Sequence, residues 1–129
     1  MELISNKVNM KKDIAAEIKY NDKGLVPVIA QEHKSKEVLM LAWMNKDAIA
    51  ETLATNKVCY WSRSRKKLWR KGETSGHFQT LKEFRYDCDK DTVLVLVEQI
   101  GPACHTNRPN CFYYAVRGEE IEIISEPMK

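Results

Sequence analysis

The chain of 129 residues is long enough for one ordinary domain and too short for two. With 43% hydrophobic and 30% charged residues, its composition excludes a protein that is disordered as its main state. A formal net charge of +3 is too small to indicate a nucleic-acid-binding protein on its own, and the longest apolar run, Val93 to Val97, is too short to span a membrane.

The hydrophobic pattern predicts a single compact α+β domain, with a mostly antiparallel sheet and one main helix. Residues 1–23 are polar and rich in lysine, and we expect a loosely attached leader with a short helix near Lys11 to Ile18. Asn45 is the predicted N-cap of the main helix, which runs from Lys46 to about Asn56. The strands predicted before this helix are Leu25–Ala30 and Val38–Trp43.

The second half of the chain is predicted to alternate strands with loops. The basic segment 63–76 is punctuated by glycine and is expected to be mostly loop, and the tail from Gly118 onward is acidic and mixed. The strands predicted here are Val58–Ser62, Phe78–Cys88, Thr92–Ile100 and Cys111–Arg117.

The segment 87–91, which we call the acidic turn, carries aspartates at alternate positions: Asp87, Asp89 and Asp91. Extended backbone would place these three carboxylates on one side and Cys88 on the other. Crowded carboxylates repel one another unless a cation neutralises them, and their oxygen atoms suit Mg²⁺ or Ca²⁺. A solvated turn without a metal is the alternative.

The aspartates and Glu98 also match the first, third, fifth and twelfth positions of an EF-hand. However, Thr92 occupies the position where the sharp turn of that motif requires glycine, and the residues that follow form a predicted strand. An EF-hand is therefore excluded.

The cysteines indicate a second kind of metal site. No signal peptide is recognisable, so we expect a cytoplasmic protein whose thiols are reduced or bound to metal. Three thiolates favour Zn²⁺ and leave one coordination position open, where the pKa of a bound water falls to about 7. The three cysteines in or beside loops are Cys88, Cys104 and Cys111. Their spacing matches no zinc finger, so free buried cysteines are the alternative, and Cys59, inside an apolar strand, is predicted to be one.

His105 follows Cys104 directly, and three roles are open to it: a fourth zinc ligand, a general acid or base, or packing. Beside a zinc site, we favour proton transfer. His77 lies in a polar loop and is a further candidate for ligand contact.

The segment from Trp61 to Gly76, which we call the basic loop, combines cations, hydroxyl groups, glycines and two tryptophans. Arginine side chains and free backbone N–H groups recognise phosphate oxygens, and an aromatic ring can stack on a base. The candidate substrate-binding residues are Trp61, Arg63, Ser64, Arg65, Lys71, Thr74 and Ser75. A solvated basic face and single-stranded nucleic-acid binding are the alternatives, but the small net charge favours a small phosphorylated ligand.

Taken together and in this order, the motifs resemble those of phosphoribosyl-AMP cyclohydrolase, from about Leu25 to Tyr114. The resemblance implies hydrolytic opening of the adenine ring of phosphoribosyl-AMP at its N1–C6 bond, which gives the phosphoribosyl-formimino-aminoimidazole-carboxamide ribotide in histidine biosynthesis. The matching segments are Glu37–Asn45, Trp61–Arg65, Leu68–Gly76, Asp87–Asp91, Cys104–Thr106 and Cys111–Phe112.

The resemblance also implies two metals and a homodimer. Magnesium would bind the three aspartates of the acidic turn, and zinc would bind Cys88, Cys104 and Cys111, with thiolates from both subunits. The chain departs from the family pattern at Asn107, where glycine is usual, and at Asn110, where serine is usual. Because the chain has no room for the second domain to which some relatives are fused, we expect a single activity.

We hypothesise that zinc-bound hydroxide attacks C6 and that the N1–C6 bond then breaks, with His105 moving the proton. Two other functions remain to be weighed. A zinc nucleobase deaminase is disfavoured because its H-x-E and P-C-x-x-C motifs are absent. A zinc-stabilised nucleic-acid module is the alternative that is not an enzyme, and salt-dependent binding of single strands would indicate it. The residues expected to hold the two ribose phosphates are Arg63, Arg65, Lys71, Thr74 and Ser75.

Overall fold

A computed structural model describes residues 14–128, and within them the chain forms two helices and eight strands. One four-stranded sheet and two two-stranded hairpins contain these strands. Within the same residues, no helix combines the length and the apolar character that a membrane crossing requires. The elements are α1 (Ile14–Glu17), β1 (Val26–Glu32), β2 (Val38–Met44), α2 (Lys46–Thr55), β3 (Cys59–Ser62), β4 (Lys67–Arg70), β5 (Gln79–Tyr86), β6 (Val93–Gln99), β7 (Tyr114–Arg117) and β8 (Glu120–Ile123).

The four-stranded sheet has the strand order β2-β1-β6-β5. β1 pairs with β2, and β5 with β6, in antiparallel hairpins, whereas β1 and β6 run parallel. The parallel pairing requires a long connection, and the chain between these strands, which includes α2 and the β3–β4 hairpin, supplies it. The predicted single domain of mixed α and β content, with mostly antiparallel pairing, is therefore confirmed.

The core is built from alternate residues of the two central strands and from one face of α2. Ile49 and Leu53 of this helix pack in the same cluster as the strand residues. Burial of a side chain of this size contributes about 1.5–3 kcal/mol, so this layer dominates the stability of the domain. In the two central strands, β1 and β6, the completely buried residues are Val26, Val28, Ala30, Val93, Val95 and Val97.

The main helix begins as the sequence predicts. The Oδ1 atom of Asn45 accepts a hydrogen bond from the backbone nitrogen of Ala48 at 2.8 Å, which satisfies one of the free N–H groups of the first turn. The helix ends at Asn56, which adopts the left-handed conformation with φ of 60° and donates its backbone N–H to the carbonyl of Thr52.

Two strands lie where the sequence predicted none. Within the segment 63–76, β4 pairs with β3, and the Trp69 ring lies 5.5 Å from that of Tyr60. Arg70 forms two hydrogen bonds to the Glu51 carboxylate of α2, at 2.7 and 2.8 Å, which fixes β4 against the helix. In the tail, β8 pairs with β7. In β4, Lys67 and Arg70 leave only two apolar residues between them. β8 does alternate from Glu120 to Ile123, but its four residues stand in a tail that is acidic overall.

The chain before β1 is attached more firmly than expected. Ile18 is buried in the core, and the backbone nitrogen of Lys19 donates to the carbonyl of Lys90 at 2.7 Å. Residues 14–23 therefore differ from the loose leader that the sequence predicted. The predicted helix near Lys11 to Ile18 is present in its described part as α1, and residues 1–13 lie outside the described residues.

We expect Asn45→Ala to lower the free energy of unfolding by about 1 kcal/mol, because the first turn of α2 loses its side-chain cap. Asn45→Ser should retain most of the stability, since a serine hydroxyl accepts the same hydrogen bond. Urea denaturation of the three chains provides the measurement. Equal stability of the alanine and serine variants would contradict the capping role.

Candidate active site

A cavity of about 770 Å³ opens between the β3–β4 hairpin, the loop that follows β4 and the loop of residues 102–107. Cationic, hydroxyl, imidazole and thiol groups line it together. The structure thus brings much of the predicted phosphate-binding segment to the same place as part of the predicted cysteine set. The predicted site residues that line the cavity are Ser64, Arg65, Lys71, Thr74, Ser75, Cys104 and His105.

Two tight turns shape the basic wall of the cavity. At the tip of the β3–β4 hairpin, the Ser62 carbonyl accepts the backbone N–H of Lys66 at 2.8 Å. The Ser62 hydroxyl accepts the backbone N–H of Arg65 at 3.3 Å. After β4, Gly72 has φ of +87°, and a Cβ atom there would lie 2.6 Å from the backbone nitrogen of Phe78. Only glycine fits this position without moving the backbone.

The ammonium group of Lys71 is turned toward the loop that carries Cys104. Its Nζ atom donates to the carbonyl of Ala103 at 2.6 Å and lies 5.4 Å from the centre of the Trp69 ring. Burial lowers the pKa of Lys71, and the thiols of Cys111 and Cys104 oppose this effect. The sequence predicted a phosphate contact here, whereas the buried ammonium group faces a carbonyl and two sulfur atoms.

Cys104 and Cys111, which we call the thiol pair, lie close enough for each thiol to shift the pKa of the other. Burial raises the pKa of Cys104, but hydrogen bonds from Thr106, including one from its hydroxyl at 3.1 Å, together with Cys111 and the charge of Lys71, bring the pKa below its ordinary value. Burial and the neighbouring Cys104 raise the pKa of Cys111 to about 11. Two adjacent sulfur donors fit a soft metal such as zinc.

The end of the thiol-bearing loop is fixed to the β1–β2 hairpin. The backbone nitrogen of Cys111 donates to the carbonyl of Leu39 at 2.8 Å. The side-chain amide of Asn110 donates to the Glu37 carboxylate at 2.6 Å, and its oxygen accepts the backbone N–H of Phe112 at 2.7 Å. Asn110, one of the two departures from the family pattern, thus has a definite structural role.

The acidic turn gathers its three carboxylates, although not by the extended backbone that the sequence predicted. Asp87, Asp89 and Asp91 each place an oxygen atom within 4.8 Å of the others. Lys90 is left-handed with φ of 63°, and the Asp87 carboxylate accepts the backbone N–H groups of Asp91 and Thr92. Desolvation raises the pKa of the exposed Asp87 carboxyl, but the hydrogen bonds from Asp91 and Thr92 outweigh this effect and the pKa is lowered. Such a group of hard oxygen donors fits Mg²⁺.

The acidic turn and the thiol pair lie at opposite ends of the sheet. The turn joins Tyr86 to Val93, whereas the cavity adjoins the other end of the same hairpin, where Gln79 pairs with Gln99. At about 3.3 Å per residue, β5 alone separates the two ends by roughly 20 Å. Cys88 therefore does not join the thiol pair within one chain. In residues 14–128, the aspartates are the only three ionisable ligands close enough to share a metal.

The two remaining predicted substrate-binding residues do not line the cavity. The Arg63 guanidinium lies 4.8 Å from the centre of the Trp43 ring, and Trp61 pairs with Leu68 across the hairpin. It is Trp69 that presents its ring to the cavity. Alternation of side chains along β3 and β4 places Trp61 and Trp69 on different faces of the hairpin. This difference could not be predicted, because the sequence did not reveal β4.

Further lining residues extend the site beyond the prediction. The ring of His77, a candidate for ligand contact in the sequence, lies in the cavity wall against Gly101, where a Cβ atom would approach it to 2.7 Å. Cys59 lies apart from the cavity, its burial is as predicted, and that burial raises its pKa to about 12. The lining residues that the sequence did not assign to the site include Ser62, Lys67, Arg70, Glu73 and Asn107.

The chain is similar in sequence to proteins that carry the same enzyme name, phosphoribosyl-AMP cyclohydrolase. A sequence model of the family phosphoribosyl-AMP cyclohydrolase matches residues 40–113. Phosphoribosyl-AMP cyclohydrolase 2 of Pseudomonas fluorescens is 64% identical over 110 residues, which cover 85% of this chain and 75% of that protein. The phosphoribosyl-AMP cyclohydrolase of Cereibacter sphaeroides is 58% identical over 88% of this chain and 95% of its own. The phosphoribosyl-AMP cyclohydrolase of Ruegeria is 54% identical over 126 residues, which cover 97% of this chain and 98% of that protein.

We expect the metal-free thiol pair to titrate in two separate steps. In a chain that carries Cys59→Ser and Cys88→Ser, ultraviolet absorbance of thiolate should show one step below the ordinary cysteine pKa, which belongs mainly to Cys104, and a second near 11, which belongs mainly to Cys111. Lys71→Met should move the first step to higher pH, because a nearby cation is lost, whereas Lys71→Arg should not. An unchanged first step in Lys71→Met would contradict the electrostatic contact.

Proposed function

Because the chain belongs to the phosphoribosyl-AMP cyclohydrolase family, we propose that it opens the adenine ring of phosphoribosyl-AMP by hydrolysis at the N1–C6 bond, in the histidine biosynthesis of the cytoplasm. The observation that carries the proposal is that Cys104 of the thiol pair lines a cavity whose opposite wall is rich in cations and hydroxyl groups. Family membership favours this activity over the deaminase and the nucleic-acid module that the sequence left open.

Zinc would be held by the thiol pair and by Cys88 of a second chain. In support, the thiols of Cys104 and Cys111 lie close enough to shift the pKa of each other, whereas the length of β5 keeps Cys88 of the same chain away from them. Large apolar side chains on the β7–β8 hairpin are exposed, among them Val116 at 74% and Ile121 at 75%, and a homodimer would cover such a surface. Zinc on thiolates supplies a Lewis acid that makes water nucleophilic at neutral pH.

The substrate carries two ribose phosphates and a ring made electrophilic by the phosphoribosyl group on N1. Arg65 lies on the basic wall, where its guanidinium would bind one phosphate through paired hydrogen bonds. The hydroxyl groups of Ser64, Thr74 and Ser75 would complete the phosphate contacts. The Trp69 ring offers a surface for the base, as exposed aromatic rings do for nucleotides.

His105 would transfer the proton. It follows Cys104 in the cavity wall and is solvent-exposed, so its imidazole can exchange protons with bulk water. N1 needs a proton when the N1–C6 bond breaks, and a neighbouring imidazolium can donate it. The buried ammonium of Lys71 would offset the negative charge of the thiolates beside it.

Magnesium would bind at the acidic turn through Asp87, Asp89 and Asp91, whose oxygen atoms converge. Within one chain this turn is as far from the cavity as Cys88 is. In a dimer that brings Cys88 of one chain to the thiol pair of the other, the neighbouring aspartates would arrive with it. Magnesium would then lie near the substrate phosphates, where divalent ions commonly bind.

An absorbance assay with phosphoribosyl-AMP tests the activity directly. The purified protein should consume this substrate, and a chelator should abolish turnover in step with the loss of zinc measured in the same sample. Cys104→Ala should lose both zinc and turnover. Full turnover in that variant without zinc would refute the zinc mechanism, and no turnover by the zinc-loaded protein would refute the activity.

Mixing two inactive variants tests the shared site. Cys88→Ser and Cys104→Ser should each be inactive alone, because each removes one ligand from every site. After the two are unfolded and refolded together, half of the dimers are mixed and each mixed dimer has one intact site. Turnover should therefore return to about one quarter of the original. Refolding Cys104→Ser with Cys111→Ser is the matched control. Both substitutions damage the thiol pair, so no dimer has an intact site and no activity should return. Equal recovery in both mixtures would contradict a site shared between chains.

A further inference from the structure

The last described residues of the chain return to the loop that carries the candidate catalytic groups. The side-chain amide of Asn107 donates to the carbonyl of Met128 at 2.8 Å, and the backbone nitrogen of Met128 donates to the carbonyl of Asn107 at 2.7 Å. These two reciprocal hydrogen bonds join residues 21 positions apart. A pair of this kind restricts both the distance and the orientation of the two segments.

A second set of contacts joins the same loop to the tail at Ser125, three residues before Met128. The Nε atom of Arg108 donates to the carbonyl of Ser125 at 2.9 Å. The guanidinium of Arg108 also lies 4.1 Å from the centre of the Tyr113 ring, and the Tyr113 carbonyl accepts the backbone N–H of Ile124 at 2.9 Å. The tail is thus joined to this part of the chain at three positions, Ile124, Ser125 and Met128.

The loop is closed by hydrogen bonds of its own. The backbone nitrogens of Ala103, Cys104 and Asn107 donate to the carbonyls of Pro109, Arg108 and Cys104 at 3.3, 3.2 and 3.0 Å, and the Thr106 hydroxyl donates to the Cys104 sulfur at 3.1 Å. Asn107 is left-handed with φ of 70°, a conformation that a non-glycine residue adopts at some cost. Contacts with the tail add to these bonds and further restrict the segment that carries Cys104 and His105.

We infer that residues 125–128 form a strap that fixes the loop bearing Cys104 and His105, and that Asn107 and Arg108 are the positioning residues through which the strap acts. The tail lies beyond residues 40–113, which the family model matches. Asn107 also replaces the glycine that the sequence resemblance leads one to expect. In the strap, the side-chain amide of Asn107 adds a hydrogen bond at a residue whose left-handed backbone conformation is costly. Its effect on turnover rests on the proposed function, but its effect on the loop does not.

Hydrogen exchange of the full chain tests the strap without any substrate. Asn107→Gly keeps the left-handed backbone and removes only the side-chain amide. It should accelerate exchange at the backbone amides of Cys104 and Asn107 by about 2- to 10-fold, the effect of one lost hydrogen bond. A chain that ends at Ser125 should show at least the same acceleration. Met128→Ala is the matched control, because it retains both backbone groups that contact Asn107, and it should leave the exchange unchanged.

Combining the two changes separates the strap from other roles of the asparagine. Asn107→Gly in the shortened chain should add nothing to the effect of shortening, because the partner group is already gone. Additive effects, or equal acceleration at the core amide of Val95, would overturn the inference. So would unchanged exchange in Asn107→Gly.

Kinetics with phosphoribosyl-AMP supply a readout that general destabilisation would not produce. Because the strap holds the thiol-bearing loop and not the basic wall, Asn107→Gly should lower kcat by about 2- to 10-fold and change KM less than about twofold. A raised KM with unchanged kcat would overturn the placement of the strap. Absence of turnover in the unaltered zinc-loaded protein would refute the proposed function, while the exchange result would still decide the strap.

Discussion

β1 and β6 lie side by side at the centre of the sheet, and their parallel pairing joins what would otherwise be two separate hairpins. Their inward-facing valines are completely buried, and α2 covers them. Because the strands are parallel, the chain must cross from one end of the sheet to the other between them. That crossing contains the basic loop, which is therefore delivered to the end where β5 begins and β6 ends. The loop after β6 leaves from the same end, so the cavity forms between the two.

The sheet also separates charges of opposite sign. Cations and the thiol pair lie at one end, and three carboxylates lie at the other. Each group is costly to assemble, since like charges repel and buried cations lose hydration. In the acidic turn, two backbone N–H groups donate hydrogen bonds to the Asp87 carboxylate and offset the repulsion between the carboxylates. The buried Lys71 offsets its lost hydration with the Ala103 carbonyl and the neighbouring sulfur atoms. A dimer of the proposed kind would bring the two ends together.

The sequence was most informative where one local rule controls the outcome. The capping residue Asn45 marked the start of α2, and alternating valines marked the central strands. It was less informative where long-range contacts decide. β4 depends on Glu51 and on a register that no local pattern shows, and the direction of the Lys71 side chain depends on Ala103, 32 residues away. The three aspartates were grouped correctly for the wrong reason, because a turn with a left-handed Lys90 brings them together.

The cysteines differ in how they would respond to an oxidant. Peroxides react with thiolates, and Cys59 stays protonated at physiological pH because burial raises its pKa to about 12. Cys111 also stays protonated at that pH, because its pKa is raised to about 11, whereas Cys88 is exposed at the acidic turn. Cys88 is one of the three proposed zinc ligands. Zinc bound there, as proposed, would also shield the more accessible of these thiols from oxidation.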